Sequence, residues 1–230
     1  MNLIFDGVDL KQEFGCEIFR DDSDRAPARE IESVAIPGRT GDLLKDGKRY
    51  PNVPMKYALV FPDGNFSDCK NFLLSRVGYS RLEDSEHSDE YYMAYVKADI
   101  EPTVTRQRDM AKYVVEFERK AQRYLKSGET VQTFTAAGSI TNPTRFDAQP
   151  LLRVYGAGSV GIGARSFTIT SADEYTDIDC ERMDCFKGVE PRNEYVQFTG
   201  HLFPTLPSGV TQLTFSGVTR IKVTPRWWRL

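Results

Sequence analysis

Apolar and polar positions alternate with a period of two along much of this chain. Tyr113, Val115 and Phe117 are separated by Lys112, Val114, Glu116 and Glu118, the pattern of a strand with one buried face. Other apolar runs are short, rich in Val, Ile, Thr, Tyr and Phe, and bounded by Gly, Pro, Asn and Asp, which predicts strands. In the first half these strands fall at 2–5, 16–20, 30–36, 55–61, 91–98 and 112–119. In the second half they fall at Leu151–Tyr155, Val160–Ile162, Phe167–Ile169, Asp177–Cys180, Tyr195–Thr199, Leu213–Phe215 and Ile221–Thr224. One helix is expected, from Asp68 to Val77. Ser67 stands as its N-cap, Phe66, Phe72, Leu73 and Leu74 give it an apolar face, and Gly78 stops it.

Residues 37–54 break the rhythm. Pro37-Gly38-Arg39-Thr40-Gly41-Asp42 reads as one turn and Lys45-Asp46-Gly47-Lys48-Arg49 as another. Together they predict an extended, polar hairpin or arm, a projection with few contacts of its own that makes sense if a neighbouring subunit supports it. The polar turn Lys126-Ser127-Gly128-Glu129 predicts a boundary between a first domain, 1–128, and a second, 129–230. Seven or more short strands in the second domain predict a β-sandwich.

Composition narrows the functional classes. Of the 230 residues, 40% are hydrophobic and 27% charged, an ordinary globular balance. The net charge of -3 leaves no clustered excess of cations for nucleic acid, and the group Arg119, Lys120 and Arg123 has acidic neighbours. No apolar run approaches the roughly 18 residues of a membrane span. The N-terminus lacks the basic and apolar regions of a signal peptide, so folding in a cytoplasm is expected.

Each chemical motif has a plainer reading. Cys180 and Cys185 lie too far apart for the usual zinc knuckle, so free structural thiols are expected. A bridge between them would need a tight turn. Gly156-Ala157-Gly158-Ser159-Val160-Gly161 matches a dinucleotide fingerprint, but a strand pattern rather than a helix follows, which predicts a tight hairpin. Asp177, Asp179 and Glu181 alternate along one strand. They have the chemistry for acid–base work or calcium, against a plain solvated strand face. His87 and His201 lack an accompanying nucleophile motif and read as surface residues. Trp227 and Trp228 are adjacent, so a strand would bury one and expose the other as an aromatic contact. No catalytic residue, cofactor site or metal site is expected.

Several segments, in order, resemble the distal tail protein family of siphovirus phages. Leu3-Ile4-Phe5-Asp6-Gly7-Val8-Asp9-Leu10 resembles its opening strand and turn, and Ile36-Pro37-Gly38-Arg39-Thr40-Gly41 its turn after an apolar strand. Phe117-Glu118-Arg119-Lys120-Ala121 is similar to the end of the family's first domain, although members often carry Cys-Lys-Pro at its last three positions. Ala148-Gln149-Pro150-Leu151-Leu152-Arg153-Val154-Tyr155-Gly156 and Asp177-Ile178-Asp179-Cys180-Glu181 resemble strands of its second domain. Before them, Asn142-Pro143-Thr144 lacks the usual glycine. Phe203-Pro204-Thr205-Leu206-Pro207-Ser208-Gly209 looks like a family turn, with Thr211 and Gln212 replacing the expected Asn. Pro225-Arg226-Trp227-Trp228-Arg229-Leu230 matches the family's close.

The resemblance implies a mainly β protein. Its N-terminal domain would be β-sandwich-like with one α-helix and a projecting arm, and its C-terminal domain a galectin-like β-sandwich. It implies a structural, non-enzymatic baseplate hub in the virion, at the distal end of the tail, assembled in the host cytoplasm. A homo-hexameric ring would join the tail tube protein to the tail-tip or tail-associated lysin protein, with residues 37–54 as an inter-subunit or tail-tube contact and Arg39, Lys45, Lys48 and Arg49 as its polar interface anchors. Its channel would admit the tape measure protein and then DNA, without specific binding or membrane insertion. Receptor-binding proteins attach through the second domain in some relatives. The alternative is a carbohydrate-binding module or receptor-adsorption protein of the tail.

Overall fold

The computed structural model describes residues 1–20, 25–62, 66–97, 100, 102–103 and 111–230. The chain divides into two compact units, Met1–Arg123 with Leu230, and Tyr124–Arg229. Both are mainly antiparallel β-structure. Among the described residues no helix is long and apolar enough to cross a membrane.

The first unit contains β1 (Leu3–Phe5), β2 (Val8–Asp9), α1 (Leu10–Phe14), β3 (Glu17–Arg20), β4 (Ile31–Val34), β5 (Leu43–Asp46), β6 (Val53–Phe61), α2 (Ser67–Ser75), β7 (Ser80–Asp84), β8 (Glu90–Val96), β9 (Pro102–Thr103) and all but the last two residues of β10 (Ala111–Leu125). Its main sheet runs in the order β2-β1-β7-β8-β10-β6-β3. Position 98, the end of the expected strand 91–98, lies outside the described residues.

The alternation along β10 determines what it buries. Val115 lies opposite Tyr57 and Phe117 opposite Met55 on β6, and all four are buried on one face. The Phe117 ring meets Phe5 edge-on at 5.2 Å and Tyr57 at 6.0 Å, the geometry that aromatic quadrupoles favour.

Among the described residues two α-helices are present where the sequence predicts one. In α1, Asp9 accepts hydrogen bonds from the Lys11 and Gln12 amides at 3.0 and 3.3 Å, and Gly15 closes the helix in the left-handed region. α2 buries Cys69 and Leu73, and its Phe72 ring packs against Phe14 of α1 at 5.7 Å. The N-cap position of α2 is Phe66, with no side-chain cap, so Ser67 belongs to the first turn. The helix ends at Ser75, leaving Val77 exposed.

The second unit is a two-sheet sandwich. It contains β11 (Gln132–Phe134), β12 (Gly138–Asn142), β13 (Leu151–Tyr155), β14 (Gly158–Ile162), β15 (Arg165–Ile169), β16 (Tyr175–Asp179), β17 (Asp184–Lys187), β18 (Glu190–Pro191), β19 (Val196–Phe198), β20 (Gly209–Ser216), β21 (Arg220–Thr224) and β22 (Trp228–Arg229). One sheet has the order β11-β21-β13-β16-β17-β18 and the other β12-β20-β14-β15-β19. Leu152, Val154, Ile178, Ile221 and Val223 from the first meet Val160, Ile162, Phe167 and Leu213 from the second.

The glycine motif at 156–161 is not a hairpin. β13 and β14 belong to different sheets, so residues 156–157 cross between them, as Gly217–Thr219 does between β20 and β21. The two crossings touch. A Cβ on Gly158 would lie 2.1 Å from the Ser216 carbonyl oxygen, and one on Gly217 would lie 2.8 Å from that of Ala157. Close backbone approach, not a phosphate, calls for glycine here.

Candidate interaction surfaces

Among the described residues β4 and β5 pair only with each other, in the register Ile31 to Asp46 and Val34 to Leu43. Every residue from 28 to 49 is exposed. The arm therefore begins earlier than residue 37, because the apolar run at 30–36 is its first strand. Ion pairs tie the two strands together: Arg29 with Asp46 at 2.8 Å, Glu32 with Lys45 at 3.1 Å and Glu30 with Arg49 at 3.1 Å. The Ser33 hydroxyl also bonds Asp42.

Ion pairing does not account for the apolar positions. Ile31 and Leu44 point to one face of the ribbon, 51% and 66% exposed. Val34 and Leu43 point to the other, 39% and 48% exposed. A lone two-stranded ribbon is marginally stable in water, and burying each such side chain would contribute about 1.5–3 kcal/mol.

The four sequence-predicted anchors separate into two pairs. Lys45 and Arg49 are engaged inside the arm. Arg39, in the turn at the tip, and Lys48, held in the left-handed region at φ 56°, make no ion pair among the described residues. These two are the outward cations.

Trp227 is not an exposed contact. It is 3% exposed and belongs to the core of the second unit. Trp228 is half-buried; its ring stacks on Phe146 at 4.5 Å and its indole N–H donates to the Asp147 carbonyl at 3.0 Å. Both rings serve the fold.

The acidic series is not a solvated face either. Asp177 and Asp179 are buried. Arg153 donates to both oxygens of Asp177 at 2.7 and 2.8 Å. Arg226 does the same for Asp179 at 2.7 and 3.0 Å, and the Tyr124 hydroxyl donates to Glu181 at 3.0 Å. Burial acts to raise the Asp179 pKa, but the Arg226 hydrogen bonds and the amides of Arg182 and Glu181 outweigh it, so the net shift is downward. Carboxylates clamped in this way are poorly placed to move protons or hold calcium.

All four cysteines are free and buried. Burial pushes the Cys16 thiol up to about 11, and Cys69 and Cys185 up to about 12. Cys180 is raised by burial too. His87 is half-buried beside Asp84, with Nδ1 3.4 Å from its carboxylate, and His201 is exposed in a turn.

No protein-family model matches this chain, and no curated protein matches it by sequence. The structure does have counterparts. The Dit protein of phage SPP1, described as a paradigm of the hub adsorption apparatus in Gram-positive infecting phages, matches with a TM-score of 0.72 at 14% identity, over 96% of this chain and 97% of that one. The fold is that of a phage distal tail protein.

Chains from the phage P2 baseplate in its activated conformation, with Ca and with Sr, match less closely. Their TM-scores are 0.54 and 0.53 at 11% and 10% identity, over 96% of both chains in each case. The Dit fold thus accommodates a sequence this divergent, since its strands require alternation and turn chemistry rather than particular residues.

Proposed function

We propose that this chain is a structural distal tail protein, a baseplate hub that closes into a six-membered ring at the tail tip. The exposed apolar arm carries the reading. Ile31, Val34, Leu43 and Leu44 lie uncovered on a ribbon with no third strand among the described residues, and a neighbouring copy of the chain would cover them. A repeated heterologous contact closes into a ring when each step turns one sixth of a revolution. Arg39 and Lys48, the cations left over from the arm's own ion pairs, then face the neighbour. The likeness of the whole chain to the SPP1 hub protein supports the same reading.

In this role the protein works through interfaces. The ring joins the tail tube protein to the tail-tip or lysin protein, and its channel passes the tape measure protein and then DNA. The buried, arginine-clamped carboxylates Asp177 and Asp179 support a non-enzymatic role.

Sedimentation velocity across a concentration series tests this. The wild-type chain is expected to shift from monomer towards hexamer, and Leu43→Asp with Leu44→Asp to remain monomeric and folded. Equal assembly by the variant would refute the arm's role.

A further inference from the structure

We infer that the outer face of the sheet β11-β21-β13-β16 binds an anionic saccharide or polyol chain, through Arg220 and Lys222. The site lies within one chain and does not depend on ring formation.

The argument starts from cross-strand register. Lys222 on β21 lies opposite Arg153 on β13 and opposite Thr133 on β11. Two cations facing each other across a strand pair destabilise it. Arg153 is relieved by Asp177, its neighbour on the other side, through two hydrogen bonds. Lys222 has no carboxylate among the described residues, and neither has Arg220, two positions along the same strand and on the same face. Lys187 and Arg192, by contrast, are paired with Asp173 at 2.9 and 3.7 Å.

Both unpaired cations lean on one ring. The Arg220 guanidinium lies 3.9 Å from the centroid of Tyr155, and the Lys222 ammonium 5.9 Å. The Arg220 Nε is buried and has no hydrogen-bond acceptor among the described residues. Tyr155 in turn packs against Tyr175 at 5.8 Å, which carries Arg153 at 4.3 Å. Stacking fixes the cations in place, so less side-chain entropy is lost when an anion arrives.

Beside Lys222 the face forms an open groove of about 440 Å³. Thr133 and Thr224 line it with hydroxyls, Val131 and Leu151 with apolar surface, and Arg153 and Asp177 with an ion pair whose charges cancel, which leaves Lys222 as the groove's unanswered charge. Hydroxyl donors, a small apolar floor and the Lys222 cation, with Arg220 outside the groove's lining but two positions along the same strand, suit a ligand chain with C–H faces, many hydroxyls and a phosphate or carboxylate. A neutral sugar would leave both cations unanswered.

Calorimetric titration of the full chain tests this with three probes of equal length: a glycerol-phosphate oligomer, a glucuronate-containing oligosaccharide and a neutral oligosaccharide. At least one anionic probe is expected to bind, the phosphate and carboxylate arms deciding which group is preferred, with affinity falling as salt rises. Lys222→Gln and Arg220→Gln are each expected to weaken binding roughly tenfold. Thermal melting checks that the variants fold. Hydrogen exchange on the wild-type chain, with protection expected at 131–134 and 220–224, reads the site without any substitution. Absence of binding by both anionic probes, equal binding of the neutral one, or unchanged binding by the double variant would overturn the inference.

Discussion

Arg226 holds both carboxylate oxygens of Asp179, at 2.7 and 3.0 Å, and so ties the segment before β22 to the end of β16. Asp179 is buried, and removing its partner leaves a carboxylate without compensation. Arg226→Ala is expected to destabilise the second unit by about 3 kcal/mol, the lower end of the range for broken buried pairs, as read by chemical denaturation.

The same pair sets an acid response. The folded pKa of Asp179 lies below its usual value, so its contribution is complete above the unfolded pKa of about 3.9 and is lost as pH falls through the folded value. Asp179→Asn is expected to lower stability at neutral pH and to flatten the decline on acidification. A melting-temperature series from pH 7 down to 2 checks both.

Much of the fold was legible as period-two alternation, and the failures have physical causes. β10 reads as a strand over 112–119 but continues to Leu125 through a charged run. Its cations are hidden by partners that sequence cannot show: Arg119, 1% exposed, donates to the carbonyls of Arg25, Lys120 and Ala121, and Arg123 bonds buried Glu90 at 2.6 Å. α1 is too short for helical periodicity, although Asp9 and Gly15 bracket it. For Trp227 and Trp228, parity puts one of the two inside but does not say which. The arm's first strand looked like a body strand because its pairing partner, β5, sits within a polar stretch.

The core of the first unit centres on Phe117, with Phe5 and Tyr57 edge-on to it. Phe117→Ala is expected to cost about 3–5 kcal/mol, measured by denaturant unfolding.

Burial holds the cysteine thiols protonated, with Cys16 raised to about 11 and Cys185 to about 12. A thiol reagent at pH 8 is expected to leave all four unmodified in the native protein and to label all four once it is unfolded. Rapid native labelling of any one would show that its site opens.

Arg39 and Lys48 make no ion pair among the described residues. Arg39→Ala with Lys48→Ala is expected to change melting by less than about 0.5 kcal/mol equivalent while weakening self-association, as followed by light scattering.

The most direct test of the hub reading is electron microscopy of the purified full chain, in negative stain, across a rising concentration series. Rings with six-fold symmetry and an open centre are the predicted result. Single small particles at every concentration would contradict it.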